Sequence, residues 1–143
     1  MRLNPGDIVE IETDGGLAHV QVTHNHGSYP EVVRVLKGLR DSRPADLEKL
    51  AQSASVFTAM LPLGAAIEKG RVDGARIGTA AIPEEHKAFP TFRMPIRNRR
   101  GEVSYWWLWD GEGLRYETEL DEKAADLPMR EVMSVDAFMA KLG

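Results

Sequence analysis

The sequence predicts a β-rich α+β fold: a strongly bent antiparallel sheet or small barrel with two modest helices. Three observations carry that expectation. Short apolar or alternating runs recur along the chain with turn residues between them, which favours antiparallel strands over a parallel α/β layout. Two segments, 44–52 and 134–142, have helical spacing. One run, Tyr105-Trp106-Trp107-Leu108-Trp109, puts bulky groups on both faces of a strand, because successive strand side chains point to opposite sides. Tyr105, Trp107 and Trp109 share one face of it, Trp106 and Leu108 the other. Each ring can bury ~150–250 Å², so the strand anchors whatever it packs against.

Taken in order, Pro5-Gly6 marks a turn into the first element. Val9 and Ile11 alternate with Glu10 and Glu12, Asp14-Gly15-Gly16 turns the chain, and Ala18, Val20 and Val22 alternate with His19 and Gln21. Asp-Gly and Gly-Gly between alternating runs are strong hairpin signals. Residues 24–30 are polar and turn-rich and read as an exposed loop, and 31–36 as a β-branched third strand. Pro44 suits a first helical position, with Leu47, Leu50 and Ala51 at i, i+3, i+4. Residues 56–61 read as a buried strand stopped by Pro62, 65–69 as a helical turn capped by Gly70, and 77–82 as extended. Pro83 opens one helical turn over 84–87. A strand at 91–94 pairs with 103–109 across a loop holding Arg97, Arg99, Arg100 and Gly101, and 114–117 follows the Asp110-Gly111 turn. Ser134 caps a last helix whose Val135, Phe138, Met139 and Leu142 form one stripe.

The chain has 143 residues, 43% apolar and 28% charged, with no repeat or low-complexity segment, and reads as a single domain, 1–143. Its net charge of −4 argues against non-specific binding to nucleic acid or acidic membranes. The absence of cysteine excludes disulfides, zinc–thiolate sites and thiol catalysis. No apolar stretch approaches the ~20 residues that span a bilayer, and the first residues lack the apolar segment of a signal peptide. A soluble cytoplasmic protein is expected.

Candidate chemistry is sparse, and no catalytic residue, metal ligand or cofactor site is assigned. His19, His24 and His26 are close in sequence, but His19 falls on the opposite strand face from His24 and no acid stands at ligand spacing, so they read as exposed histidines rather than a metal set. His86, beside Glu84 and Glu85, becomes half of a general-base pair only if the fold brings it a nucleophile. Gly70, Gly74 and Gly78 lack the Lys-Ser/Thr ending of a phosphate loop and read as turns and a bulge. Arg93, Arg97, Arg99 and Arg100 form a basic patch beside the aromatic strand. An interface composition rich in Trp, Tyr and Arg makes Tyr105, Trp107, Trp109, Arg97, Arg99 and Arg100 the candidate binding residues. The acidic stretch Glu117, Glu119, Asp121 and Glu122 is the alternative surface.

The order of certain segments is similar to the immunity protein 26 family of bacterial polymorphic-toxin systems. These are Gly6-Asp7-Ile8-Val9-Glu10-Ile11, Ala65-Ala66-Ile67-Glu68-Lys69-Gly70-Arg71, Ile77-Gly78-Thr79-Ala80-Ala81-Ile82-Pro83, Phe89-Pro90-Thr91-Phe92 and Trp107-Leu108-Trp109-Asp110-Gly111. The likeness spans about 6–116. It departs at Arg71-Val72, where an aromatic is expected, and over 127–143, which reads as an addition. The resemblance implies a β-rich, non-enzymatic protein that binds and neutralises a protein toxin, with no catalytic residues to carry over. An acidic inhibitor would be steered towards a basic, nucleic-acid-attacking effector. Two other classes stand beside it. One is a small-molecule binder or hydrolase with a pocket of Trp107, Trp109 and Tyr116 and a polar group from His86 or Glu85. The other is a homodimer pairing an aromatic face or sheet edge. In the core reading of the aromatic strand, Trp106 and Leu108 point inward while Tyr105, Trp107 and Trp109 lie under a helix or neighbouring strand, with Trp107 the most protected of that face; if a partner docks there instead, Trp109 is dispensable for stability.

Overall fold

Asp14 and Gly15 turn β1 (Asp7–Thr13) back onto β2 (Gly16–His26), as the alternating runs predict. Gly16 stands at φ +133°, and a Cβ there would lie 3.0 Å from the Arg40 carbonyl oxygen, which accepts the Leu17 amide at 2.7 Å. Neither the backbone angle nor the space admits a side chain, which is why glycine occupies the position. A computed structural model of the chain describes residues 2–27, 29–117 and 133–142.

β2 continues to His26 and pairs with β3 (Tyr29–Leu36), so 24–26 and 29–30 belong to paired strands rather than to a loop. β4 (Ser55–Met60) pairs with β3, and β5 (Gly74–Thr79) pairs with β1, giving an antiparallel sheet in the order β4-β3-β2-β1-β5. The register shifts at Ile8/Val9, Val22/His24, His24/His26 and Arg34/Leu36. Each irregularity adds local twist, and together they account for the bend. The bent-sheet expectation holds, whereas the small-barrel alternative does not: β4 and β5 remain edges among the described residues.

The helices are short. α1 (Leu47–Ala51) starts later than Pro44 because the Asp46 carboxylate accepts the Lys49 amide at 3.1 Å and acts as its N-cap. α2 (Leu63–Glu68) is followed by Gly70 at φ +74°, and a single 3-10 turn covers Glu84–His86. α3 (Val135–Leu142) begins where predicted, the Ser134 hydroxyl accepting the Ala137 amide at 3.1 Å. No described helix is long and apolar enough to cross a membrane.

The chain separates into two compact units, residues 1–87 with 132–143 and residues 88–131. In the first unit, one sheet face contributes Val9, Ile11, Val20, Val22, Val33 and Val35 to the main core. Leu63 and Ala66 of α2 and Val135, Phe138 and Leu142 of α3 pack into that same core. The described part of the tail that the resemblance sets aside, 133–142, is therefore structural.

On the other sheet face Ile8 and Leu36 cluster with Leu50 and Ala51 of α1 and with Ala80, yet the centre of that face is polar. Arg34 is 1% exposed. Its Nε donates to Gln21 Oε1 (2.9 Å), its Nη1 to the Ser53 carbonyl (3.2 Å) and Ser55 Oγ (3.1 Å), and its Nη2 to the Ala51 carbonyl. A buried cation is tolerable only with such saturation. Arg34→Met should cost about 2–4 kcal/mol in urea unfolding, because Gln21 Oε1 and the Ala51 carbonyl would be left as buried acceptors without donors. Adding Gln21→Leu should recover part of the loss. A single variant as stable as the parent would show that the network contributes nothing.

β1 and β2 place Glu10 opposite His19, and the Glu10 carboxylate takes His19 Nε2 at 3.1 Å and Arg43 Nη2 at 3.1 Å. Burial pushes the Glu10 pKa up, but the hydrogen bonds from Arg43 and His19 outweigh it and hold the group below its ordinary value. A carboxylate lowered in the folded state stabilises at pH above its unfolded pKa, and that contribution fades as pH falls through the folded value. The melting temperature should therefore drop in acid below the usual glutamate range, and Glu10→Gln should narrow its gap to the parent there. A gap that stays constant from neutral pH into acid would exclude a stabilising role for the ionised group.

Candidate functional site

The second unit is built on a three-stranded antiparallel sheet in the order β6-β7-β8, from β6 (Phe92–Arg97), β7 (Val103–Trp109) and β8 (Leu114–Glu117). Tight turns join the strands. Asn98 Oδ1 accepts the Arg100 and Glu102 amides, and Gly101 takes φ +81°, closing the β6–β7 hairpin. Asp110 Oδ1 accepts the Glu112 and Gly113 amides at 3.0 and 2.8 Å and closes the β7–β8 hairpin. Registers Phe92↔Trp109, Ile96↔Tyr105, Trp107↔Tyr116 and Trp109↔Leu114 assign Phe92, Ile96, Tyr105, Trp107, Trp109, Leu114 and Tyr116 to one face.

That face is divided along its length. At the β7–β8 turn, Trp109 is 6% exposed, with ring centroids 5.4 Å from Phe89 and 5.8 Å from Phe92. At the opposite end, Tyr105, Trp107 and Tyr116 have centroids 5.9–6.2 Å apart and planes inclined at 71–74°. Tyr105 and Trp107 are half-buried and Tyr116 is 63% exposed. With Ser104 they line an open cavity of about 390 Å³. The expected ranking on this face is thus reversed. Trp109, not Trp107, is the protected residue, because Phe89 folds over the turn end only. On the reverse face Leu108 is buried as expected, but Trp106 is half-buried, with the Arg93 guanidinium 5.1 Å above its ring.

The structure therefore brings Tyr105 and Trp107 together with Tyr116, which the sequence had assigned only to the alternative ligand pocket, and separates Trp109 from them. Arg97, Arg99 and Arg100 are exposed on the hairpin that leads into Tyr105. Arg97 Nη1 donates to the Gly101 carbonyl at 2.9 Å, while the guanidiniums of Arg99 and Arg100 have no ion-pair partner among the described residues. Of the alternative acidic surface, Glu117 ends β8, and Glu119, Asp121 and Glu122 lie outside the described residues.

The histidines need correction. His19 is 1% exposed and paired to Glu10, a partner hidden from sequence spacing because the hairpin brings together residues nine apart. His24 is half-buried within β2, its Nδ1 2.9 Å from Thr23 Oγ1 and its Nε2 2.8 Å from the Lys87 carbonyl, and His26 stacks edge-on against Tyr29 at 5.3 Å. The described residues contain no group of three or more acidic or histidine side chains fit for a metal ion. His86 does acquire a hydroxyl: Ser55 Oγ lies 3.3 Å from its Nε2 and accepts from Arg34, which leaves the hydroxyl proton for the imidazole. Burial and the Arg34 charge push the His86 pKa down against the pull of Glu85. His86 belongs to the first unit and the tryptophans to the second.

No protein-family model, curated protein or solved structure matches the chain.

Proposed function

We propose that this is a non-enzymatic binding protein of the immunity type, acting in the bacterial cytoplasm and neutralising a toxin protein docked on the open aromatic end of the three-stranded sheet. The supporting observation is the division of that face. One end is closed by Phe89 and Phe92, while Tyr105, Trp107 and Tyr116 are left partly open beside three exposed arginines. Tyr, Trp and Arg are the residue types that dominate binding energy at interfaces. The sequence resemblance supplies the immunity role.

Affinity capture from the native host at physiological salt tests the reading, comparing the parent with Tyr105→Ala/Tyr116→Ala. A toxin-like protein held by the parent and lost from the variant is expected. Identical captures by both, or none by the parent, would overturn it. A concentration-dependent dimer that the same variant abolishes would assign the face to self-association instead.

The Ser55–His86 contact favours a second reading, a serine hydrolase in which His86 is the base. A fluorophosphonate separates the two, since the binding reading expects no adduct on Ser55 and the hydrolase reading expects one that His86→Ala prevents.

A further inference from the structure

Resting on the binding reading above, we infer that the segment docked at the Tyr105–Trp107–Tyr116 corner is acidic and carries one apolar or aromatic anchor. The chain as a whole has a net charge of −4, which by itself would suggest a basic partner. The hairpin leading into the site reverses that sign locally. The segment from Arg93 to Arg100 itself holds four arginines and no acid. Arg97, Arg99 and Arg100 are exposed on the hairpin leading into the corner, with Glu102 the sole carboxylate of that loop. Complementarity at an interface is set by the charges that meet across it rather than by the net charge of the chain.

Ring geometry narrows the occupant further. A small ligand requires a pocket that encloses most of its surface, and a corner with Tyr116 63% exposed encloses little. Single-stranded nucleic acid would match the arginines, but its bases need flat rings presented face-on in succession. Here the three planes are inclined to one another at 71–74° and present a recess instead. A recess of about 390 Å³ walled by inclined rings takes a single rounded side chain as an anchor, with flanking carboxylates reaching the arginines.

Three probes discriminate: the peptide EEEFEEE, its basic counterpart KKKFKKK, and an oligothymidylate. Binding is read from the emission of the tryptophans, all three of which lie in this unit. EEEFEEE should bind at least about tenfold tighter than KKKFKKK and weaken as salt rises. Arg99→Glu/Arg100→Glu, confirmed folded by circular dichroism, should lose at least about tenfold in affinity for it, the size expected for interfacial charge reversal. No binding of EEEFEEE, equal or tighter binding of KKKFKKK, indifference to the charge reversal, or tighter binding of the oligothymidylate would each overturn the inference. If these probes fail while the captured protein still depends on Tyr105 and Tyr116, the acidic class alone falls. If the capture no longer depends on those tyrosines, the binding reading falls with it.

Discussion

Trp109→Ala should destabilise the second unit by about 3–5 kcal/mol, the range for truncating a buried large aromatic. Tyr116→Ala should change its stability by less than about 1 kcal/mol, since the ring is 63% exposed. Trp109 is 6% exposed and fits between Phe89 and Phe92, so its removal leaves a void that two rings border. Gly111 shows how tightly that end is built: at φ +94° a Cβ would fall 2.7 Å from the Phe89 ring. Urea unfolding followed by the emission of the remaining tryptophans gives the comparison directly. Equal losses from Trp109→Ala and Tyr116→Ala would mean the face has no open end, and the proposed site would have no place there.

Phe138→Ala should cost the first unit about 3–5 kcal/mol, again by cavity formation. Phe138 is fully buried on α3, meets Phe57 edge-on at 5.9 Å, and joins the main core beside Val135 and Leu142. Measured against the 5–15 kcal/mol that holds a typical domain together, the loss should leave a marginal fold at 37 °C. Circular dichroism would record the drop, and tryptophan emission would show whether the second unit unfolds with it. A variant with parental stability would demote α3 from core to appendage.

The elements were legible where local chemistry decides them. Asp14-Gly15-Gly16 required a turn, Ser134 required a helix start, and the arginine loop required a hairpin, and each is present. What alternation could not supply is which end of a face is covered. It grouped Tyr105, Trp107 and Trp109 correctly, but Phe89, sixteen or more residues upstream of all three, decides which of them is buried. The polar centre of the first unit was hidden for a related reason. Gln21, His19 and Arg34 find their partners across strands, beyond the reach of local spacing. A signal was nonetheless present: Arg34 interrupts Val32-Val33 and Val35-Leu36, and a lone charge inside a β-branched run either bulges out or is neutralised within. The buried network is the second outcome. The open corner had a weaker signal in Tyr116, whose place opposite Trp107 depends on the register set by Asp110 and Gly113.

Because α3 seals a core whose strands all lie before residue 80, the order of synthesis matters. Residues 88–131 emerge from the ribosome before Val135, Phe138 and Leu142 do, so the first unit must wait with one apolar sheet face covered by α2 alone while a second unit is translated and begins to fold. Met133, whose amide donates to the Met60 carbonyl at 2.8 Å, marks where the late segment meets β4. During that interval the valine face is the part of the nascent chain that a holding chaperone would recognise, and the part through which two unfinished chains would aggregate.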